Sequence, residues 1–180
     1  TLLSHMYICH LSVYRTACIR AVDGFRKGLE GSQDYDLALR VTEKTNRIAH
    51  IPKVLYHWRE RKESTAANPG SKPYFVEAAR KAKAEALARR GIEATLEYIA
   101  PLYLYRVIYT LPDAVRIHEI SAADFDKANA VSDGVIIFHR EGVQIENTEM
   151  RNRLAAHAMA SHSGAVSAKT LKEGSHKIFQ

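Results

Sequence analysis

The run Asp34-Tyr35-Asp36-Leu37-Ala38-Leu39-Arg40 holds the residues whose types and spacing are most suited to chemistry. Gly31 supplies a turn and Ser32 a helix N-cap, and Leu37 and Val41 then share one helical face at i, i+4. Asp34 therefore falls in the first helical turn. The partial positive charge of a helix N-terminus holds a carboxylate there ionised and in place. An ionised carboxylate fixed at a loop–helix junction can serve as a general base. The same residues also have a plainer reading, in which Asp34 and Asp36 complement the helix dipole and Asp36 pairs with Arg40 at i+4. Spacing alone leaves both readings open.

A second group occurs at His57, Arg59 and Arg61. At i, i+2 and i+4 on an extended chain these share one face, opposite Tyr56 and Trp58. An imidazole between guanidiniums suits an anion or a diphosphate. The alternative is a solvated strand face with Trp58 in the core. His5, Cys9 and His10 lie close in sequence, but their spacing matches no standard metal site.

These residues need elements to position them. A strand is expected over Tyr7–Arg15, from its aromatic and β-branched residues, and a short helix over Thr16–Ala21. Asp23-Gly24 marks a turn. A helix is expected from Gln33 to Asn46. Ile48–Pro52 and Val54–Arg59 read as one strand broken by Pro52, which suits an edge or a bend. After a polar loop, Pro73 opens a long Ala-rich helix over Tyr74–Arg90, with Gly91 as its C-cap. Arg80, Lys81, Lys83, Arg89 and Arg90 give that helix a basic face.

Composition shifts after Gly91. Leu102–Tyr109, Val115–Ile120, Gly134–Phe138 and Gly164–Leu171 read as strands, and Glu149–Ala160 as a helix. Alternating strands and helices imply an α/β class, with a boundary between segments 1–96 and 97–180.

The chain has 180 residues, 46% hydrophobic and 26% charged, which is ordinary for a globular protein. Its net charge of +6 allows an anionic partner without choosing one. No block of basic residues singles out nucleic acid. Two cysteines without CxxC spacing fit a reducing compartment better than a disulfide scaffold. No signal peptide is visible, and the most apolar run, Ile99–Pro112, carries Arg106 and is too short to span a bilayer. The first residue is Thr, which points to a piece of something longer.

Three stretches together resemble the C-terminal half of a family 2 glycosyltransferase domain of GT-A fold. Leu3–Arg15 looks like the segment entering the acceptor side. Gly24-Phe25-Arg26 through Glu30-Gly31-Ser32-Gln33-Asp34-Tyr35-Asp36-Leu37-Ala38-Leu39-Arg40 looks like the catalytic-base motif. His50-Ile51-Pro52-Lys53-Val54-Leu55-Tyr56-His57-Trp58-Arg59 looks like the strand that closes the site. The resemblance implies a partial GT-A-like, Rossmann-like architecture with a mixed sheet and flanking helices. It makes Asp34 the general base toward an acceptor hydroxyl and puts Gln33, Tyr35 and His10 on the acceptor side. It sets His57 and Arg59 at the leaving diphosphate, with His57 as a metal ligand.

The cofactors so implied are a divalent cation, Mn or Mg, and a nucleotide-sugar donor. The acceptor would be a glycan or a lipid-linked glycan of the cell envelope, and transfer would invert the anomeric carbon. Nucleic acid is not an expected partner. The expected place is the cytoplasm, at the inner face of the membrane if a membrane surface is involved.

Residues 97–180 resemble the same family more faintly, as a shortened second glycosyltransferase-like segment. Gly134-Val135-Ile136-Ile137-Phe138 looks like the strand before the family's metal-binding aspartates. The residues directly after it are His139-Arg140-Glu141-Gly142, of which only Glu141 could bind a metal. Asp124-Phe125-Asp126 precedes that strand instead of succeeding it. Two architectures are open: residues 101–180 complete the first segment's sheet, or they form a separate partial domain. The alternative to a catalytic chain is a non-catalytic glycan- or nucleotide-binding remnant.

Overall fold

A computed structural model of the chain describes residues 2–8, 10–57, 74–143, 145, 147–160, 163, 165 and 166. The architecture is mixed α/β, as the sequence implies, and it divides into two compact units, Thr1–Val107 and Ile108–Gln180.

In the first unit, α1 (Thr16–Arg20), α2 (Gln33–Thr42) and α3 (Tyr74–Arg89) precede a hairpin of β1 (Ala94–Ile99) and β2 (Leu104–Tyr109). The apolar spacing of α2 works in two directions. Leu37 and Val41 pack with Val22, and against them lie Tyr14, Cys18 and Ile19 of the preceding chain and α1. Ala38 and Leu39 are also buried, and α2 packs on α3. On α3 the buried positions are mostly alanines (Ala78, Ala79, Ala82 and Ala86), small side chains that let two helices approach closely.

The C-terminus of α3 matches its sequence signal. Gly91 has φ +62°. The Ile92 N–H donates to Leu87 O at 2.9 Å and the Gly91 N–H to Ala88 O at 3.1 Å, the two bonds of a Schellman cap. The expected turn at Asp23-Gly24 also forms, with φ of 57° and 65°.

Beneath these helices lies an ionic network. Asp36 is wholly buried. Its Oδ2 accepts from Arg40 Nε at 2.8 Å and Arg40 Nη2 at 2.6 Å, and from Arg26 Nε at 3.1 Å. Arg26 Nη2 donates to Oδ1 and also pairs with Glu85 of α3 at 2.6 Å. Arg40 donates further to the carbonyls of Val22 and, at 2.6 Å, Gly24. Burial alone would raise the Asp36 pKa. Hydrogen bonds from Arg26 and Arg40 outweigh it and hold the carboxyl below its ordinary 3.8. The network's stabilisation is thus present above pH 3.8 and is lost as pH falls below it.

In the second unit, β3 (Ile117–Ser121) and β4 (Val135–His139) pair in parallel, with Ile117 opposite Val135 and Ser121 opposite His139. The connection is a kinked 3-10 segment, Ala122–Ala130. Helix α4 (Thr148–Met159) starts at Asn147, whose side chain accepts from Met150 N at 2.7 Å, and it packs on β4. Gly134 sits where the chain turns into β4. Its φ is +85°, and a Cβ there would collide with Arg116 O.

Several expectations are corrected. Tyr7–Arg15 and Ile48–His57 are not strands among the described residues. A strand needs a neighbouring ladder for its N–H and C=O groups, and these segments have none among the described residues. Tyr14 packs on the core, but several other apolar side chains of these segments stand in solvent, Val13 and Val54 each at 87% exposure. Helix α2 stops at Thr42, short of Asn46. Among the described residues the two sheets are separate, β1–β2 and β3–β4, and no ladder joins them into one sheet. The strand expected over Gly164–Leu171 lies outside the described residues apart from Ala165 and Val166, which carry no regular structure.

Two substitutions test this packing. Asp36→Ala leaves Arg40 and Arg26 without their shared anion and should cost about 3–5 kcal/mol in the first unit, read by urea unfolding. Gly134→Ala forces a Cβ onto a main-chain oxygen at a positive φ and should lower the second unit's stability by about 2 kcal/mol or more. Hydrogen exchange of the β3–β4 amides against those of α2 would localise that loss.

Candidate functional site

The loop from Arg26 to Ser32 and the first turn of α2 are built mostly by local hydrogen bonds. Glu30 folds back so that its Oε1 accepts from Gly28 N at 2.9 Å. That main-chain bond holds the Glu30 carboxyl below its ordinary range. Gln33 repeats the pattern, its Oε1 accepting from Gly31 N at 2.8 Å. Gly31 has φ +86°, and a Cβ there would lie 3.0 Å from atoms of both Phe75 and Tyr74. The turn therefore needs glycine for its conformation and for the close approach of α3.

Ser32 occupies the N-cap position, but its hydroxyl does not cap α2. It donates to Phe75 O at 2.9 Å, tying the start of α2 to the start of α3. The helix begins without a side-chain cap, and Asp34 is the acid nearest its exposed N–H groups. Asp34 is exposed. Its Oδ1 accepts from Tyr35 N at 2.8 Å, and its Oδ2 has no partner among the described residues. A carboxylate held by one oxygen with the other open to solvent can accept a proton from an incoming hydroxyl.

Asp34 and Asp36 thus diverge in role, although both sit in the first turn. Asp36 points inward and is saturated by two arginines. Asp34 points outward and keeps one carboxylate oxygen open to solvent. Tyr35, between them, is buried, and its hydroxyl donates to Leu2 O. Burial, then the neighbouring Tyr105 and Tyr7, raise its pKa. Its side chain is therefore committed to the interior and offers no surface to an acceptor, contrary to expectation. Gln33 is exposed but uses its amide oxygen on Gly31. His10 is exposed, with its ring 5.8 Å from that of Tyr56.

His57 lies in the irregular segment that ends the described stretch, and it is exposed. No hydrogen bond or ion pair joins it to Asp34 among the described residues. Arg59 and Arg61 lie outside the described residues, and so do Trp58 and Cys9. Among the described residues, no three His, Cys, Asp or Glu side chains converge as a metal site would require. Glu141 is exposed in a turn, and Asp124 pairs with Lys127 at 2.9 Å.

The basic face expected on α3 is not a free cationic surface. Arg80 pairs with Glu77 at 2.6 Å, and Arg89 and Arg90 both clamp Glu43 at the end of α2, at 2.7 and 3.2 Å. Lys83 is buried. Lys81 remains, lining a shallow open pocket with Gly28, Glu30, Tyr74, Glu77 and Ala78. No described helix is long and apolar enough to cross a membrane.

Sequence reasoning missed Arg26 and Lys83. Arg26 lies on a polar loop, and nothing in its spacing reveals that it reaches Asp36. Lys83 is four residues before Leu87 on the Ala-rich face, a position that helical periodicity marks as internal.

Among known proteins, the chain is 43% identical over 108 residues to the uncharacterized protein y4gI of Sinorhizobium fredii, a match that covers 58% of this chain and 12% of that protein. It is 38% identical over 103 residues to the O-antigen biosynthesis protein RfbC of Myxococcus xanthus, covering 57% of this chain and 8% of that protein. The matches thus span about a tenth of the length of these relatives. No family model matches the chain, and no solved structure does.

The turn's stereochemistry is directly testable. Gly31→Ala should cost about 1–2 kcal/mol by chemical unfolding. Ser32→Ala, which removes one hydrogen bond to Phe75 O, should cost about 1 kcal/mol.

Proposed function

We propose that this chain is part of a glycosyltransferase that moves a sugar from a nucleotide-sugar to a glycan or lipid-linked acceptor, with Asp34 as the general base. One observation carries the reading: of the two aspartates that open α2, Asp36 is consumed by Arg26 and Arg40, while Asp34 keeps one carboxylate oxygen free at the surface. The similarity to a protein named for O-antigen biosynthesis supports the same class of reaction, and so does the resemblance of Gly24–Arg40 to a base motif.

A sugar hydroxyl is a poor nucleophile until its proton has somewhere to go. In this reading the free Asp34 oxygen takes that proton as the hydroxyl oxygen bonds to the anomeric carbon. The bond from that carbon to the diphosphate breaks, and the nucleoside diphosphate leaves with the electron pair. Attack opposite the leaving group inverts the configuration. The network under Asp34 holds its helix still, which keeps the base in line.

The donor side is a separate matter. Among the described residues no three His, Cys, Asp or Glu side chains converge, so these residues by themselves do not fit a divalent cation. The nucleotide-sugar and any Mn or Mg would need groups beyond the described residues, Arg59 among the candidates. This same mismatch favours the second reading, a non-catalytic glycan- or nucleotide-binding remnant.

Asp34→Asn in the polypeptide that carries this chain should lower kcat about 10²–10⁴-fold. Its unfolding free energy should change by less than about 0.5 kcal/mol, as expected of an exposed side chain. Retention of most activity would remove Asp34 as base. Titration of UDP-sugars with and without Mn²⁺ separates the two readings: turnover excludes the remnant, and binding without turnover supports it.

A further inference from the structure

One buried ionisable group has no part in the proposed reaction. Lys83 of α3 is 1% exposed. Its Nζ lies 4.6 Å from the centroid of the Tyr35 ring on α2 and 3.9 Å from that of Tyr105 on β2. No carboxylate pairs with it among the described residues. The two tyrosine hydroxyls point elsewhere: Tyr35 donates to Leu2 O and Tyr105 to Val76 O, the latter at 2.8 Å. The amine therefore meets ring faces and not oxygens. The Tyr105 main-chain N–H also donates to Ser4 O at 3.0 Å. Three elements and the N-terminal segment consequently meet around a single amine.

We propose that Lys83, caged by Tyr35 and Tyr105, is a proton-operated latch that seats the N-terminal segment Leu2–Ser4 and strand β2 on the α2–α3 pair. An ammonium in this position loses its water, and two ring faces return only part of that hydration energy. A neutral amine loses little. The closed arrangement accordingly prefers Lys83 unprotonated, and protonation favours opening, which returns the amine to water.

Burial lowers the Lys83 pKa from 10.5 to about 7, which fixes the direction of the pH dependence. The open state binds the extra proton between those values, so the latch tightens as pH rises above 7 and reaches its full strength near 10.5. It loosens as pH falls through that window and changes little below 7.

Tyr35, Tyr105, Tyr98, Glu77 and Arg80, which surround the cage, do not reproduce this window. Tyr35, Tyr105 and Tyr98, whose ring is 5.1 Å from that of Tyr105, are all shifted upward from 10.0, chiefly by burial. Glu77 and Arg80 on α3 pair with each other, which lowers the carboxyl's pKa and raises the guanidinium's. Tyr7 and His5 lie on the N-terminal segment, their rings 5.7 Å apart.

Hydrogen exchange of the Tyr105 amide, corrected for intrinsic rate, reports the latch directly in the full chain. Its opening constant should fall about tenfold for each pH unit above 7. Lys83→Met fills the same space without titrating and should flatten that slope, whereas His5→Gln should leave it unchanged. A slope that persists in Lys83→Met, or that vanishes in His5→Gln, overturns the proposal. An independent reading comes from the Lys83 Cε chemical shift in the unaltered chain. A titration midpoint near 7 supports the latch even if the Met variant fails to fold, and a midpoint near 10.5 overturns it.

Discussion

Asp36 in its cage of guanidinium groups is the interaction on which the first unit depends. A carboxylate without solvent contact is tolerated only when its charge is matched and its lone pairs are filled. Arg40 reaches it from the next turn of the same helix, and Arg26 reaches it from the preceding loop. Because Arg26 also pairs with Glu85, the one buried anion ties a loop, α2 and α3 together. Arg40 adds the carbonyls of Val22 and Gly24, so the loop that leads into α2 cannot move without breaking a charged hydrogen bond. The position of Asp34 is a consequence of that constraint.

The two aspartates of one helical turn illustrate how position divides chemistry. They lie two residues apart, which on an α-helix puts them on different sides. The inward one must be neutralised by partners and becomes structural. The outward one keeps an oxygen for solvent or substrate. Ser32 shows a related division: the residue type suits an N-cap, but α3 lies close enough to take its hydroxyl, leaving the helix start to Asp34.

The first unit is held from its interior, and the chain on its margins is not. Segments around Val13 and Val54 have strand-like composition and no ladder among the described residues, and Leu11, Val13, Ile51, Val54 and Leu55 are exposed. The second unit is similarly lean, with a parallel pair of strands, a 3-10 crossover and one helix among the described residues. A parallel sheet is ordinarily covered on both faces; here α4 packs against β4, and Phe125 and Phe138 stack at 5.1 Å while both remain exposed.

By itself the sequence determined the helices and the glycine cap that ends α3. Local composition and spacing located α1, α2, α3 and α4; Gly91 marked the end of α3; and i, i+4 spacing paired Asp36 with Arg40. These succeed because their physics acts within a few residues. Strands failed in proportion to their need for a distant partner: Tyr7–Arg15 and Ile48–His57 have the composition without the ladder, and β1 was hidden in what looked like a boundary. Only the tertiary structure decided which aspartate is buried, that Arg26 completes its cage, that Tyr35 faces inward, and that Lys83 sits between two rings. Each depends on groups far apart in sequence meeting in a medium of low dielectric, where burial converts an ordinary charge into a dominant one.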